Sequence, residues 1–416
     1  MDRKRASVLS FFLILSIFLL GIAYQGRAEE KVLKPCYEGE ELGKVKEWEK
    51  AWVGKRIGSA TVDQVKDLLP PAIYQLMKDT KTWGEHWFEI VPYRPLPYTP
   101  GKIKYTKEGN CRIGPNDELI GWAAGVPFPN PKSGLEIAWN FESWSHSDGF
   151  FNSAVGYTVD GKLKYDRKLA FAVKSLHIAG RCDVPPTPEF PDNTKGILRA
   201  SWLENSEPTE VKGQTILQYC YKDRNKQDDS WVWIPSLRKI RHISTAQRTN
   251  IEGGSDIATD DDYGRNMIPA NFTYKYIGRK EVLLARHQDI GALKRPQGDC
   301  MYSGMQKERV NTHVVEGVSK DPSYPYNKFI WYVDPELWHI VTAEKFDREG
   351  KLLKVIEYCL DVRPSYQGLQ DTYYITVTCL DVQRVHSTVS TLPEINLGQE
   401  FPLSLFTVNQ LQRLGR

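Results

Sequence analysis

Through most of the chain beyond residue 196, apolar and polar positions alternate with a period of two, which predicts antiparallel strands. The clearest run is 327–360. It reads as a strand at 328–333, a turn at Asp334-Pro335-Glu336, a strand at 337–346, a turn at Asp347-Arg348-Glu349-Gly350 and a strand at 351–360. Further strands are predicted at 196–203, 214–222, 231–235, 237–244, 272–284, 310–318 and 372–385. Residues 251–267 break the pattern. They are polar, glycine-rich and acidic, and predict a long loop.

Upstream, 149–159 reads as a strand returning through Asp160-Gly161, a strong hairpin signal, into 162–165 and 170–178. A Gly/Pro-rich loop, 121–134, precedes a strand predicted at 135–142. Residues 29–110 have a different texture. Thr61 and Gln64 have capping-box spacing ahead of Val62, Val65, Leu68 and Leu69, Pro70-Pro71 stops that helix, and 72–78 restarts it. Residues 403–414 predict a short terminal helix. The fold class expected is mainly β with α: a large curved antiparallel sheet forming a half-open barrel with a helical lid. A helical and irregular segment, 29–110, precedes the β domain, 111–416. Such a sheet packs one face and leaves the other free, and strong curvature makes a trough.

The first 28 residues carry a separate signal. Arg3, Lys4 and Arg5 precede an apolar run at 8–20, and Gly26-Arg27-Ala28 offers small residues for cleavage before Glu29. This is the pattern of a secretory signal peptide, with an uncleaved membrane anchor as the alternative. Export places the chain in the periplasm. The formal charge of +3 includes a net +3 from that leader, so the remainder is near neutral. A neutral chain argues against nucleic acid as a partner. Seven cysteines without a C-x-x-C pair leave disulfides open in an exported chain, with at least one thiol unpaired by the odd count.

Chemistry-bearing motifs are sparse. There is no G-x-S-x-G elbow and no H-E-x-x-H helix, and the eight histidines are dispersed. No cofactor or metal is expected, and the chain reads as a non-enzyme. Asp260, Asp261 and Asp262 with His242 form the one constellation worth testing for catalysis. The same aspartates, with Asp256, could supply oxygens to calcium, but the EF-hand spacing is absent and a solvated acidic loop is the plainer reading. They could also pair with the basic strand Arg238-Lys239-Ile240-Arg241 and hold a lid shut, or leave an arginine to grip a lipid headgroup. Twelve tryptophans and 21 tyrosines suit the lining of a wide cavity, an interface or an aromatic core. Trp231 and Trp233 share one strand face, as do Trp338 and Ile340. The candidates for contact with a ligand are Trp139, Trp231, Trp233, Arg241, Trp331 and Trp338. The candidates for a lid charge pair are Arg238, Asp260, Asp261 and Asp262.

Three stretches together resemble a family. They are Ala124-Gly125-Val126-Pro127-Phe128-Pro129-Asn130-Pro131 with Trp139-Asn140, the run from Asp229 to Arg241 followed by Thr259-Asp260-Asp261-Asp262-Tyr263, and Trp331-Tyr332-Val333-Asp334 with Trp338, Phe346-Asp347 and Gly350-Lys351-Leu352. They resemble a bacterial family of exported proteins of unknown function, whose genes often lie beside RND-type lipid exporters and a companion outer-membrane protein. That family is similar in fold to the LolA/LolB-type lipoprotein carriers, incomplete β-barrels around a hydrophobic cavity. The resemblance implies a carrier for a lipid or acylated cargo, working with an inner-membrane RND-type transporter. The alternative is an adaptor that bridges an exporter to an outer-membrane protein without carrying cargo. An enzyme acting on lipid or glycan is the remaining reading. This chain departs from the simple carriers in its length and its seven cysteines.

Overall fold

The structure is a computed structural model and describes residues 32–143, 147–243, 254–258, 260–261, 267–294 and 300–414. The leader read at 1–28 and Asp262 lie outside the described residues. Among the described residues, no helix is long and apolar enough to cross a membrane.

The period-two pattern becomes one open sheet. In chain order its members and a side ribbon are β1 (Arg56–Ile57), β2 (Phe88–Ile90), β3 (Arg112–Ile113), β4 (Leu119–Ile120), β5 (Gly149–Val159), β6 (Tyr165–His177), β7 (Ile197–Glu207), β8 (Thr215–Tyr221), β9 (Asp229–Ile234), β10 (Lys239–Ile243), β11 (Phe272–Ala285), β12 (Met305–Ser319), β13 (Lys328–Val333), β14 (Ile340–Phe346), β15 (Leu352–Pro364), β16 (Gln370–Asp381) and β17 (His386–Leu397). β3 and β4 pair only with each other. β5 to β10 and β11 to β17 form two meanders, joined where β17 pairs antiparallel with β5, and the short β1–β2 pair attaches to β12. All pairings are antiparallel except β2 with β12. β10 lies at one end, β1–β2 and β11 attach to β12 at the other, and β10 pairs with none of these, so the sheet does not close into a barrel.

Alternation gives the sheet two distinct faces. On one, Val355, Cys359, Ile375, Leu380 and Val389 pack against Val62, Val65, Leu69, Ile73, Leu76, Met77 and Trp83 of the N-terminal helices. On the other, Trp331, Ala343, Ile356, Tyr358, Val377 and Cys379 pack against Ile137, Ala138 and Phe141 of the helix Gly134–Ser143. The central strands are therefore covered on both sides. Further along, the first face of β6 to β9 buries Leu176, Ala200, Trp202, Leu217, Tyr219 and Trp233 beneath Phe406 and Leu411 of the C-terminal segment, which holds the short helix expected there.

Local expectations fail in three places. Residues 135–142 are helical, not a strand. Ser133 and Glu136 form the start signal: Ser133 Oγ accepts the Glu136 amide at 3.2 Å, and the Glu136 carboxylate accepts the Lys132 amide. Thr61 does not cap the helix that follows. Its hydroxyl bonds Gly58, and 62–68 is a 3-10 stretch kinked at Val65. The strand predicted at 372–385 ends at Asp381, and a further strand, β17, follows it. Disulfides, left open by the sequence, do not form: all seven cysteines are free thiols. Cys359 and Cys379 show why: in register they oppose Thr376 and Ile356, and they pack in the clusters on opposite faces.

Candidate functional site

The face of the sheet that bears Trp331 carries both features a binding site needs. Over β13 to β17 it is closed by a latched segment, and over β6 to β10 it is half open.

The latch begins with two lysines. Lys345 on β14 and Lys354 on β15 are Cα partners across the hairpin, in phase with the apolar residues Ala343 and Ile356. Two like charges opposed on a buried face are unfavourable unless a carboxylate lies between them. Asp261 supplies it. Its carboxylate accepts from Lys345 Nζ at 2.5 Å, from Lys354 Nζ at 2.6 Å, and from the Tyr326 hydroxyl at 2.9 Å. The Ala258 amide adds a fourth donor at 3.0 Å. Burial alone would raise the Asp261 carboxyl, but the two ammonium groups hold it down at about 2. The Lys354 ammonium, which burial alone would weaken, is raised by the same carboxylate.

Neighbouring atoms extend the grip. Tyr324 donates to the Asp260 carboxylate at 3.0 Å, and Tyr358 donates to the Asp261 carbonyl at 3.1 Å. Asp256, five residues earlier, is anchored on β17 by His386 Nδ1 and the Thr388 hydroxyl, each at 2.8 Å. Its carbonyl accepts from Lys354 Nζ at 2.7 Å. Under this segment lie Met267, Trp331, Ile340, Ala343, Ile356 and Tyr358, and the space left among them is about 10 Å³, room for about one water.

The half-open part is a cross-strand row. Asn152, Val173, Leu203, Ile216, Val232 and Arg241 are successive Cα partners from β5 to β10, so their side chains share one face. Val173, Leu203 and Ile216 are half-buried, Val232 is buried, and Arg241 is exposed. In β8 the alternation is explicit. Thr215, Leu217 and Tyr219 are buried toward the C-terminal segment, while Ile216 and Gln218 are half-exposed on the row's face.

The sequence-derived candidates fall in several places. Trp331 lies under the latch, stacked on Phe329 at 4.3 Å between centroids. Trp139 packs with Ile268 and Ala270 and donates to the Asp117 carbonyl at 2.8 Å. Trp231 and Trp233 lie on the opposite face from the open row, against the C-terminal segment. Trp338 sits in the turn before β14 with φ +55°, stacked on His313 at 5.4 Å. These aromatics do not converge on one cavity. Asp260 and Asp261 do meet, in the latch, but their partners are lysines and tyrosines. Arg238 and Arg241 are exposed at the far edge of the sheet. His242 bonds Asp229 at 2.9 Å, so it is not joined to the aspartates of the latch. Sequence reasoning missed Lys345 and Lys354. Their positions on the two strands flanking the 347–350 turn, in phase with apolar residues, were the available signal. It also missed Arg286, which is fully buried between Asp334 and Glu336 at 3.1 and 2.7 Å.

The chain is thus framed by one large, open, mainly antiparallel sheet whose Trp331 face is latched over β13 to β17 and half open over β6 to β10. The family model described as "protein of unknown function (DUF1329)" matches residues 56–412, and the chain belongs to that family. It is 20% identical over 351 residues to the uncharacterized protein PA3922 of Pseudomonas aeruginosa, covering 78% of this chain and 72% of that one. Among solved structures it is similar to a DUF1329 family protein from Desulfovibrio piger, with a TM-score of 0.48, 16% identity, and coverage of 67% of this chain and 97% of that one. A domain from Vibrio parahaemolyticus that carries the name outer membrane lipoprotein-sorting protein aligns with a TM-score of 0.47, 16% identity, and coverage of 67% and 98%. A LolA superfamily protein from Nitrosomonas europaea aligns with a TM-score of 0.40, 15% identity, and coverage of 67% and 100%.

Proposed function

We propose that this protein is a periplasmic binding or carrier protein for a lipid or an acylated, lipoprotein-like cargo, without catalytic activity of its own. One observation carries the reading: the row Val173, Leu203, Ile216 and Val232 is apolar, in register and not fully covered. Three of its four side chains are half-buried and Val232 is buried, so a contiguous apolar strip stays partly open to a partner. From β6 to β9 the row crosses three strand spacings, about 14 Å, room for much of an acyl chain. Each buried CH₂ contributes about 0.8 kcal/mol, so binding needs no chemistry.

In this reading the latched segment over β13 to β17 is the lid, and its opening lengthens the apolar face toward Trp331 and Ile356. An inner-membrane RND-type exporter is the partner expected to work on it, with an outer-membrane protein as receiver. The test is native mass spectrometry of detergent-free protein from the periplasm of a Gram-negative host, with solvent extraction of any ligand. A lipid or acylated adduct near one per chain is expected, and Val232→Asp with Ile216→Asp should reduce its occupancy at least tenfold. A clean apo mass that also takes up no added phospholipid would overturn the carrier reading and favour the bridging adaptor.

A further inference from the structure

We infer that the cargo is an anionic lipid, lying along the half-open row with its phosphate at the β10 edge, held by Arg241 and Lys239. The inference rests on the carrier reading and adds the headgroup and its orientation.

Register makes the argument. Arg241 is the Cα partner of Val232, and Lys239 is the partner of Ile234. Both cations therefore project on the row's face, at the end where the apolar side chains stop, and both are exposed. The carboxylate nearest in the hairpin is not available to them. Asp229 alternates to the opposite face with Trp231 and Trp233, and its oxygens are taken by His242 at 2.9 Å and Tyr221 at 2.5 Å. Across β9 and β8, Arg241 meets Val232 and then Ile216, so its side chain has apolar surface beneath it, and among the described residues it forms no ion pair. A guanidinium so placed keeps its donors for a bidentate contact with a phosphate, and a neighbouring ammonium adds charge. Apolar row and paired cations in sequence match an amphiphile with an anionic head.

Basic residues on an edge strand also occur simply to discourage strand-to-strand association. The two roles separate by experiment. Binding of lysophosphatidic acid and of a monoacylglycerol with the same chain is measured by native mass spectrometry and tryptophan fluorescence, on the wild type and on Lys239→Gln/Arg241→Gln. Circular dichroism confirms that both are folded. The wild type is expected to bind the phosphate-bearing lipid at least tenfold more tightly, with the preference weakening in high salt. The double variant should lose that preference and keep its affinity for the monoacylglycerol. If both lipids bind the wild type equally and the variant differs only in self-association, the residues are edge guards and the headgroup inference fails while the carrier reading stands. If neither lipid binds, the carrier reading itself fails.

Discussion

At the scale of single residues, the buried charges decide most. Asp261 faces two ammonium groups, so removing its charge strands both lysines away from water. Asp261→Asn is expected to cost about 3–5 kcal/mol, the usual penalty for breaking a buried pair from one side. The check is urea denaturation, with hydrogen exchange showing the loss concentrated at 254–261. Replacing all three groups, as Asp261→Leu with Lys345→Met and Lys354→Met, should leave stability equal or higher. A purely structural role and a latch then differ: in the latch reading this apolar triple variant stays closed and loads lipid more slowly than the wild type. Gly317 gives a second residue-scale expectation. A Cβ there would lie 2.1 Å from Phe329 Cζ, so Gly317→Ala must displace a ring stacked on Trp331. Overpacking of this kind costs about 1–3 kcal/mol, read as a lower urea midpoint. The acidic loop was visible in the sequence as a candidate lid. Its partners were not, because the charge pairing crosses from residue 261 to 345 and 354, and only the fold brings those together.

At the scale of elements, the meanders were legible because each strand is bounded by turn chemistry. Asp160 shows the mechanism: its carboxylate accepts the Lys162 and Lys164 amides, each at 2.9 Å, and closes the β5–β6 hairpin. The Asp347 side chain does the same for Lys351 at 2.8 Å. Two elements were misread for definable reasons. The helix Gly134–Ser143 is apolar on nearly every side, with Ile137, Ala138, Trp139 and Phe141 all buried, so period two and period 3.6 are not separable there. β17 is rich in serine and threonine and contains Pro393, which hides it, although it is the strand that joins the meanders. Proline is tolerated because the β17–β5 register shifts between Thr391 and Glu394, at an irregularity where no ladder bond is required. The half-open row itself was not visible. It runs perpendicular to the strands, and its members are scattered from residue 152 to 241.

At the scale of the whole molecule, the question is what opens the latch, and acidity can be separated from a partner. Two buried histidines resist protonation. Burial pushes His86 down to about 4, and burial with the Arg279 guanidinium pushes His313 down to about 3. Arg279 can only donate, so His313 accepts at Nε2 at 2.9 Å and carries its proton on Nδ1, toward the Tyr276 hydroxyl. The unfolded chain takes up protons at both near pH 6.5, while the folded chain does not until about 4 and 3. Their depressed values therefore contribute stability that is complete above pH 6.5 and is lost as pH falls through that window. Each approaches a slope of about 1.4 kcal/mol per pH unit. The Asp261 carboxyl, held at about 2, keeps its charge throughout the same range, so its pairing with Lys345 and Lys354 does not titrate with them. Urea titrations at pH 7 and pH 5 should show a loss of global stability that His86→Gln/His313→Gln largely removes. Hydrogen exchange at 254–261, corrected for its intrinsic pH dependence, should report opening no easier at pH 5 than the global loss explains. Selective opening of the latch at pH 5 would assign the trigger to protons. Its absence leaves the work of opening to a binding partner, which can supply the free energy by holding the lid's charges in place of the lysines.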